Sequence, residues 1–280
     1  TFTLAAAINE KVIEPSKQFK NLEKSIKCGK NTINEYDEKI PSNLTAEQIL
    51  IRSGNIGSVR IGQLIGLKEF EKFMNKLNLM DTIKFDIEEV GVPISFKWGK
   101  CKLATVSYGH GITTTLLQLA NAYAIIVNGG YKINPSLIKK NKKVIRKQIL
   151  SSEVSKKINP ILRKIVNTKE GTASLANIEG YEVGGKTGTA QKSTLGGYSK
   201  KKINTFASIF PTSNPKYTLI VMMDEPKTND EYIYNYRDGS GIKYKGTPFN
   251  TAGWTSVEVA GQIIEKIGPI LATKYNEVNK

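Results

Sequence analysis

Three β-forming runs in the second half of the chain constrain its fold more than any other feature of the sequence. They cover residues 180–189, 204–210 and 217–223. Only residues 211–216 separate the last two runs, which is the length of a hairpin turn. No room is left there for the helical crossover that parallel strands require. The sequence therefore predicts an antiparallel sheet in this half.

Helical patterns dominate the first half of the chain and close the second. Four segments are predicted to be helices from their apolar residues: 2–8, 67–77, 114–127 and 257–267. A further short helix is predicted between Thr45 and Arg52, because Thr45 and Gln48 match a capping box. Helices early and antiparallel strands late indicate an α+β fold, with an antiparallel sheet flanked by helices and a mostly helical subdomain.

The chain of 280 residues is expected to form a single domain, 1–280, because no internal repeat divides it. Within it, residues 44–130 are predicted to be the mostly helical subdomain, and residues 178–280 to hold the sheet and the C-terminal helix. The hydrophobic content of 39% suffices for a packed core and excludes a disordered chain. The longest apolar stretch is shorter than the roughly 18 residues of a membrane helix, and no signal peptide opens the chain.

Cysteine and histidine are scarce, which narrows the possible chemistry. Two cysteines exclude a disulfide scaffold, and sequence alone does not decide whether Cys28 and Cys101 pair. We expect them to be unpaired small side chains. With His110 as the single histidine, a classical zinc site is nearly excluded, so neither a metal nor a cofactor is expected.

Most of the formal net charge of +16 lies between Lys132 and Lys169, where twelve basic residues face one acidic residue. Such a stretch is either an anionic-surface patch, for nucleic acid or membrane, or a solvated surface. No aromatic residue that could stack on a base lies between Tyr131 and Tyr181, which argues against single-stranded nucleic acid. The solvated surface is the preferred interpretation, and no nucleic-acid partner is expected.

Residues 180–187 match the phosphate-loop pattern G-x-x-x-x-G-K-T, and residues 219–225 resemble a strand that ends in a Mg²⁺-binding acid. A phosphate loop must lead into a helix whose N-terminus holds the phosphate. Residues 188–197 have no apolar helical period and end in a Gly pair. Nucleotide hydrolysis is therefore disfavoured.

The same lysine belongs to a different set of motifs. Ser53-Gly54-Asn55 forms S-x-N, residues 109–112 form G-x-G-I before a helix, and Lys186-Thr187-Gly188 forms K-T-G. In this order the motifs resemble the transpeptidase domain of penicillin-binding proteins. Residues 224–227 and 251–254 are similar to the septal class B, FtsI-like type, and the resemblance covers essentially the whole chain.

This resemblance implies a penicillin-binding protein/serine β-lactamase-like fold and a peptidoglycan D,D-transpeptidase. Such an enzyme cross-links stem peptides ending in D-Ala-D-Ala through a serine acyl-enzyme during septal cell-wall synthesis, cell division and cell-shape maintenance, and it is the target of β-lactam antibiotics. Membrane proteins of the divisome are the partners that it implies. The implied location is the bacterial inner membrane, with this domain in the periplasm.

The resemblance also assigns the candidate site residues. Lys186 would stand beside the S-x-N serine, and Thr187 and Thr189 would present hydroxyls to the substrate carboxylate. Gly188 lacks a Cβ and would let the substrate backbone approach the strand. A backbone N–H of Thr189 would form half of the oxyanion hole.

Ser53 and Asn55 are assigned to proton transfer and substrate binding. Ser53 would relay a proton between the Lys186 ammonium, the nucleophile and the leaving amine, and Asn55 would hydrogen-bond the catalytic lysine and the substrate amide. The alternative is that both residues merely form a polar turn between two helices. His110 is expected to be a loop residue near the site without a catalytic role.

One element of the family departs from its expected place. The nucleophilic serine and the basic lysine come from S-x-x-K ahead of S-x-N, whereas the four matches here follow it: Ser136–Lys139, Ser199–Lys202, Ser213–Lys216 and Ser240–Lys243. We interpret all four as chance matches. Residues 1–8 resemble the helix segment that follows S-x-x-K, so the true pair is expected before Thr1 and this chain is expected to be inactive alone.

Two other classes of function stay open. A D,D-carboxypeptidase, a β-lactamase or a β-lactam sensor would share the fold, and the lifetime of the penicillin adduct would separate them. A non-enzymatic binder of anionic surfaces would depend on the basic stretch, and its association with DNA or liposomes would be sensitive to salt.

Overall fold

The structure is a computed structural model of the chain. It describes residues 1–139, 146–194, 197–236, 240–247 and 249–278. The chain divides into two compact units, Thr1–Ile161 and Leu162–Lys280.

The first unit is built mainly from helices, as the sequence predicts. In its described residues these are α1 (Phe2–Asn9), α2 (Ala46–Ile51), α3 (Asn55–Ile65), α4 (Leu67–Lys76), α5 (Lys100–Ser107) and α6 (Leu116–Val127), and the boundary between the units falls within α7 (Ser152–Asn167). The predicted capping box of Thr45 and Gln48 starts α2, and Thr115 with Gln118 forms a second one at α6. The helices α5 and α7 have no counterpart in the sequence prediction.

The helix α1 lies in the core of the first unit. Its residues from Thr3 to Ile8 are buried, and it packs against α3 and α4. The Thr3 hydroxyl donates to the carbonyl of Ser107, 2.5 Å away, so the polar side chain inside the core is satisfied. The predicted amphipathic helix is also confirmed, because Phe70 and Met74 of α4 are buried on the same side.

Short strands complete the first unit. They are β1 (Gln18–Phe19), β2 (Ser25–Cys28), β3 (Asn31–Asn34) and β4 (Leu44–Thr45). β2 and β3 form an antiparallel hairpin, and β1 pairs with β4. The hairpin packs on α3 and α5, where Ile33 joins a buried cluster with Ile56, Val59 and Ala104.

A disulfide joins Cys28, the last residue of β2, to Cys101 in α5, with the two Cα atoms 5.4 Å apart. The expectation that both cysteines are unpaired is therefore wrong. The two residues are 73 positions apart, and only the packing of the hairpin against α5 brings them together. Cysteines with Cα atoms at this separation can be bridged without moving the backbone.

The second unit contains the predicted antiparallel sheet. Its strands β5 (Gly184–Thr194), β6 (Gly197–Phe210) and β7 (Tyr217–Asp224) pair in the order β5-β6-β7, and β8 (Ile233–Asn235) pairs with β9 (Lys243–Lys245). The chain closes with α8 (Ser256–Val278), which packs against β6 and β7. These elements confirm the α+β class.

Two predicted boundaries are wrong. The first strand begins at Gly184, because residues 180–183 form a turn in which Gly180 and Glu182 have φ angles of 81° and 46°. The last helix extends to Val278, well past the predicted end at residue 267. Pro269 lies inside that helix, although proline usually ends a helical pattern.

The phosphate-loop interpretation fails in the structure. Thr187 lies inside β5 and pairs with Phe206 of β6, and the strand continues to Thr194. A phosphate site of this type needs a helix N-terminus at that point. The expectation against nucleotide hydrolysis is thus supported by the local fold.

The basic stretch contains the amphipathic helix α7, in which Ile158, Leu162 and Ile165 are fully buried while Lys156 and Lys164 are exposed. Lys140, Lys142 and Lys143 of this stretch lie outside the described residues. In the part of the chain that the structure describes, none of the helices has the length and apolar character needed to span a membrane.

Candidate active site

Ser53 of the S-x-N motif lies in the turn that ends α2. Its N–H donates to the Leu50 carbonyl at 3.2 Å, and the Gly54 N–H donates to the Ile49 carbonyl at 2.9 Å. These two bonds form a Schellman motif, which requires a left-handed residue after the C-cap. Ser53 takes that position with a φ of 60°, where glycine is the usual residue.

Asn55 is the first residue of α3, directly after this turn. Its side-chain nitrogen donates to the carbonyl of Asn34, 3.0 Å away, which orients the amide group. Both Ser53 and Asn55 are half-buried. The two polar residues of S-x-N thus stand on the junction between two helices, with backbone geometry set by the turn.

Lys186 to Thr189 lie on β5, which has β6 on one side and forms one edge of the three-stranded sheet. Gly188 and Thr189 are exposed, and Lys186 and Thr187 are half-buried. An edge strand presents backbone N–H and C=O groups that an extended peptide can pair with.

The Lys186 ammonium donates to the carbonyl of Thr187, 2.9 Å from Nζ. Burial lowers the pKa of Lys186 to about 8. A lysine in this range releases its proton more readily than an exposed lysine does, while it remains mostly charged at pH 7. The group is therefore suited to hold a carboxylate and to give up a proton.

Both threonines of this strand have partners within the chain. The hydroxyls of Thr187 and Thr172 are 2.7 Å apart, and Thr189 Oγ1 accepts the N–H of Ala252 at 3.0 Å. A threonine hydroxyl carries one donor and two acceptor sites. Because Thr189 acts as acceptor toward Ala252, its own hydrogen can be donated to a ligand oxygen.

The two glycines beside Lys186 have different surroundings. A Cβ at Gly185 would come within 2.6 Å of the Ala207 carbonyl, so glycine is required there by packing against β6. A Cβ at Gly188 would meet no atom closer than 3.9 Å. The packing of the chain thus gives no reason for glycine at position 188.

The predicted G-x-G-I element forms the loop between α5 and α6, with φ angles of 88° at Gly109 and 68° at Gly111. His110 stacks on Tyr108 with ring centroids 5.9 Å apart. Burial, assisted by the Lys102 charge, lowers the pKa of His110, so its imidazole is neutral at pH 7. The Lys102 ammonium also donates to the Gly111 carbonyl.

The four S-x-x-K matches share one property, since none of their serines opens a helix. Ser199 lies in β6, and the others lie in turns or loops: Ser136, Ser213 and Ser240. The serine of the family's motif opens a helix, which supports their interpretation as chance matches.

The acidic residues that follow β7 form ion pairs with neighbouring strands. Lys192 pairs with Asp224 at 3.0 Å and with Glu225 at 2.9 Å, and Lys201 also reaches Glu225 at 2.9 Å. The hydrogen bonds from Lys192 and then Lys201 lower the pKa of Glu225 to about 2. These groups tie the end of the sheet together, and no Mg²⁺-binding role is needed to explain them.

Comparisons with known proteins agree with these motifs. Residues 1–240 match the family described as the penicillin binding protein transpeptidase domain. The chain is 28% identical over 285 residues to the "Probable peptidoglycan D,D-transpeptidase FtsI" of Caulobacter vibrioides, covering 98% of this chain and 46% of that protein. It is 31% identical over 235 residues to the peptidoglycan D,D-transpeptidase FtsI of Buchnera aphidicola subsp. Baizongia pistaciae, covering 81% of this chain and 40% of that protein.

The chain thus spans about half the length of these curated relatives. Among solved structures, the TP domain of penicillin-binding protein 3 from Burkholderia pseudomallei has a TM-score of 0.80 at 24% identity, over 96% of this chain and 77% of that one. Penicillin-binding protein 3 of Mycobacterium tuberculosis, complexed with aztreonam, has a TM-score of 0.77 at 23% identity, over 95% and 61%. The chain therefore belongs to the penicillin-binding protein transpeptidase domain family, with FtsI-like peptidoglycan D,D-transpeptidases among its relatives.

Proposed function

We propose that the protein containing this chain is a peptidoglycan D,D-transpeptidase that cross-links stem peptides during septal wall synthesis. The observation that carries the proposal is the edge strand β5, which presents K-T-G in a chain of this family. The reaction needs a serine that takes the acyl group of a D-Ala-D-Ala stem, releases D-alanine, and passes the acyl group to an amine. The residues below serve this sequence of steps.

We assign binding of the terminal carboxylate to the β5 residues. The charged form of Lys186 and the hydroxyls of Thr187 and Thr189 supply a cation and hydrogen-bond donors for it. The open space above Gly188 lets the substrate backbone pair with the strand edge. The N–H of Thr189 is proposed to stabilise the oxyanion, a contribution of about 2.7–4 kcal/mol for such a donor.

We assign proton transfer to Ser53 together with Lys186. The lowered pKa of Lys186, about 8, supports a role as proton donor through the Ser53 hydroxyl to the leaving amine. Asn55 is proposed to hydrogen-bond the substrate amide and the catalytic lysine. Since none of the four S-x-x-K matches fits the nucleophile, we propose that the acylated serine lies ahead of Thr1 in the full-length protein.

The oxidised cysteines support a location outside the cytoplasm. Disulfides persist in oxidising compartments, among them the bacterial periplasm, and are rare in the cytosol. The Cys28–Cys101 bridge therefore supports a periplasmic domain of an inner-membrane protein. Divisome membrane proteins are the partners that we propose for such a location. We also propose that β-lactams acylate this protein, as its structural relatives in complex with aztreonam and ampicillin suggest.

Labelling with a fluorescent penicillin tests the proposal in the full-length protein. The wild type should acquire a covalent label, and Lys186→Ala should lose it or label at least about a hundredfold more slowly. Lys200→Ala removes an exposed lysine of β6 and should label normally. Normal labelling of Lys186→Ala would show that K-T-G is assigned wrongly.

Two further measurements address the reaction and the pairing of the motifs. A long-lived adduct with cross-linked peptide as product supports a transpeptidase, whereas rapid release of hydrolysed penicillin supports a β-lactamase, and release of D-alanine alone supports a carboxypeptidase. If Ser53 and Lys186 act in one step, the loss in the Ser53→Ala/Lys186→Ala double variant should be much smaller than the sum of the single losses. Additive losses would mean that the two residues act independently.

A further inference from the structure

The N-terminus of α3, which carries Asn55, has no cap of its own. The N-cap residue is Gly54, and it has no side chain that could accept a hydrogen bond. The first N–H groups of a helix lack partners within the helix and favour a nearby negative charge. Here Glu35 supplies both acceptors: the Asn55 N–H donates to Oε1 at 2.6 Å, and the Ile56 N–H donates to Oε2 at 3.2 Å.

The two neighbours of Glu35 hold the same turn. The Asn34 carbonyl accepts the side-chain N–H of Asn55 at 3.0 Å. The Tyr36 hydroxyl donates to the carbonyl of Arg52, at 3.0 Å, on the other side of Ser53. Residues 34–36, called the clamp segment below, therefore contact the chain immediately before and after the S-x-N serine.

The clamp segment is itself held in place. It follows β3, and Ile33 at the end of that strand is buried against α3 and α5. The Glu35 N–H donates to the Lys24 carbonyl at 2.8 Å, which extends the hairpin pairing. At its other end the hairpin is joined to α5 by the Cys28–Cys101 disulfide. A segment fixed at both ends can impose a geometry on the turn that it contacts.

We propose that Glu35 is a positioning residue for the S-x-N motif and that, through the clamp segment, it sets the rate of acylation. The proposal rests on the proposed function. Ser53 occupies a left-handed conformation in a turn between two helices, so small changes in the entry to α3 redirect its hydroxyl and the Asn55 amide. Misplacement of groups by about 1 Å lowers the rates of enzymes by up to about a hundredfold. Two charge-assisted bonds from one carboxylate oppose such a change.

Acylation kinetics of the full-length protein with a β-lactam test this proposal. Glu35→Gln keeps the size of the side chain but leaves one of its two N–H partners without an acceptor. We expect its acylation rate constant to fall at least about tenfold, equivalent to about 1.4 kcal/mol, while the affinity of the non-covalent complex changes little. Glu23→Gln is the matched control. Glu23 is exposed and pairs with Arg60 of the same helix at 2.8 Å, so this change removes an equal charge near α3 and should leave the rate within about twofold.

A role in stability alone is separated from positioning by a second background. In Ser53→Ala, the group to be positioned is absent, so Glu35→Gln should cause little further loss of rate if it acts through Ser53. Equal losses in both backgrounds would overturn the proposal. Tyr36→Phe removes only the bond to Arg52 and covers the case in which Glu35→Gln does not fold; its rate should fall severalfold at an unchanged melting temperature.

The outcomes also separate this proposal from the proposed function. If the wild type is not acylated, the proposed function fails. If the wild type is acylated and both Glu35→Gln and Tyr36→Phe react at its rate, the function stands and the positioning role is wrong.

Discussion

Replacement of Ser53 by glycine tests whether this serine is only a turn residue or part of the reaction. Ser53 follows the C-cap of α2 with a φ of 60°. A residue with a Cβ loses roughly 1–2 kcal/mol in this left-handed conformation. Glycine avoids that loss, but its unfolded chain has more conformational freedom, which offsets about 0.4–1 kcal/mol.

The backbone effect is isolated by comparison with Ser53→Ala. Both variants lose the hydroxyl, and only alanine keeps the Cβ. The free energy of unfolding of Ser53→Gly should therefore exceed that of Ser53→Ala by about 0 to 1.5 kcal/mol. For a protein of this size the melting temperature should differ by about 2–4 °C per kcal/mol.

Acylation should respond in the opposite direction. If the hydroxyl carries a proton between groups, both Ser53 variants should acylate at least about a hundredfold more slowly than the wild type, which is the usual contribution of proton transfer. The glycine variant would then be the more stable of the two and equally slow. A residue that serves only the turn would give full activity with glycine.

Lys11 provides the matched control within the same unit. It has a φ of 55°, and its N–H donates to the Ile8 carbonyl at 3.1 Å in a second Schellman motif, at the end of α1. Lys11→Gly and Lys11→Ala should show the same difference in stability with unchanged acylation. The assays are thermal unfolding and stopped-flow acylation by a chromogenic cephalosporin. Acylation of Ser53→Gly within about twofold of the wild type would refute the proton-transfer role.

Three further predictions concern K-T-G and the disulfide. Gly188→Ala should unfold within about 1 kcal/mol of the wild type yet acylate at least about tenfold more slowly, because its Cβ has room in the chain but obstructs the substrate; Gly185→Ala should instead be destabilised, and normal acylation of Gly188→Ala would contradict the role of the strand edge. The acylation rate should be level below pH 7 and fall as the pH rises through about 8, because the Lys186 ammonium is lost there, and a rate that stays level to pH 10 would exclude that ammonium. The stability contributed by Lys186 should rise between pH 8 and 10.5, where the unfolded chain binds more protons, as denaturant titrations at several pH values can measure. Cys28→Ser together with Cys101→Ser should lower the free energy of unfolding by about 4 kcal/mol, since the bridge closes a loop of 73 residues; an unchanged melting temperature, with the wild-type disulfide verified on a non-reducing gel, would contradict this.

Local signals in the sequence were sufficient for much of the fold. The capping box at Thr45 and the apolar spacing of α4 depend on residues three or four positions apart, and both predictions are confirmed. The three-stranded sheet followed from β-forming runs and a hairpin-length turn, which are also local. The same reasoning distinguished K-T-G from a phosphate loop, because the missing helix after Thr187 is a local property.

Other features depend on residues that only the tertiary structure brings together. Basic residues obscured the apolar side of α7, and the turn at 180–183 was not separable from the strand by composition. The pairing of Cys28 with Cys101 spans 73 positions and requires the hairpin to pack against α5.

The clearest case is the turn that contains Ser53. The motif identifies Ser53 and Asn55, yet their orientation depends on Glu35, about twenty positions earlier. One signal was present in the sequence, since a helix starting after Gly54 needs an acceptor from elsewhere. Which side chain provides it could not be predicted, because a hydrogen bond between distant residues forms only where the packing of β3 on α3 places donor and acceptor within about 3 Å.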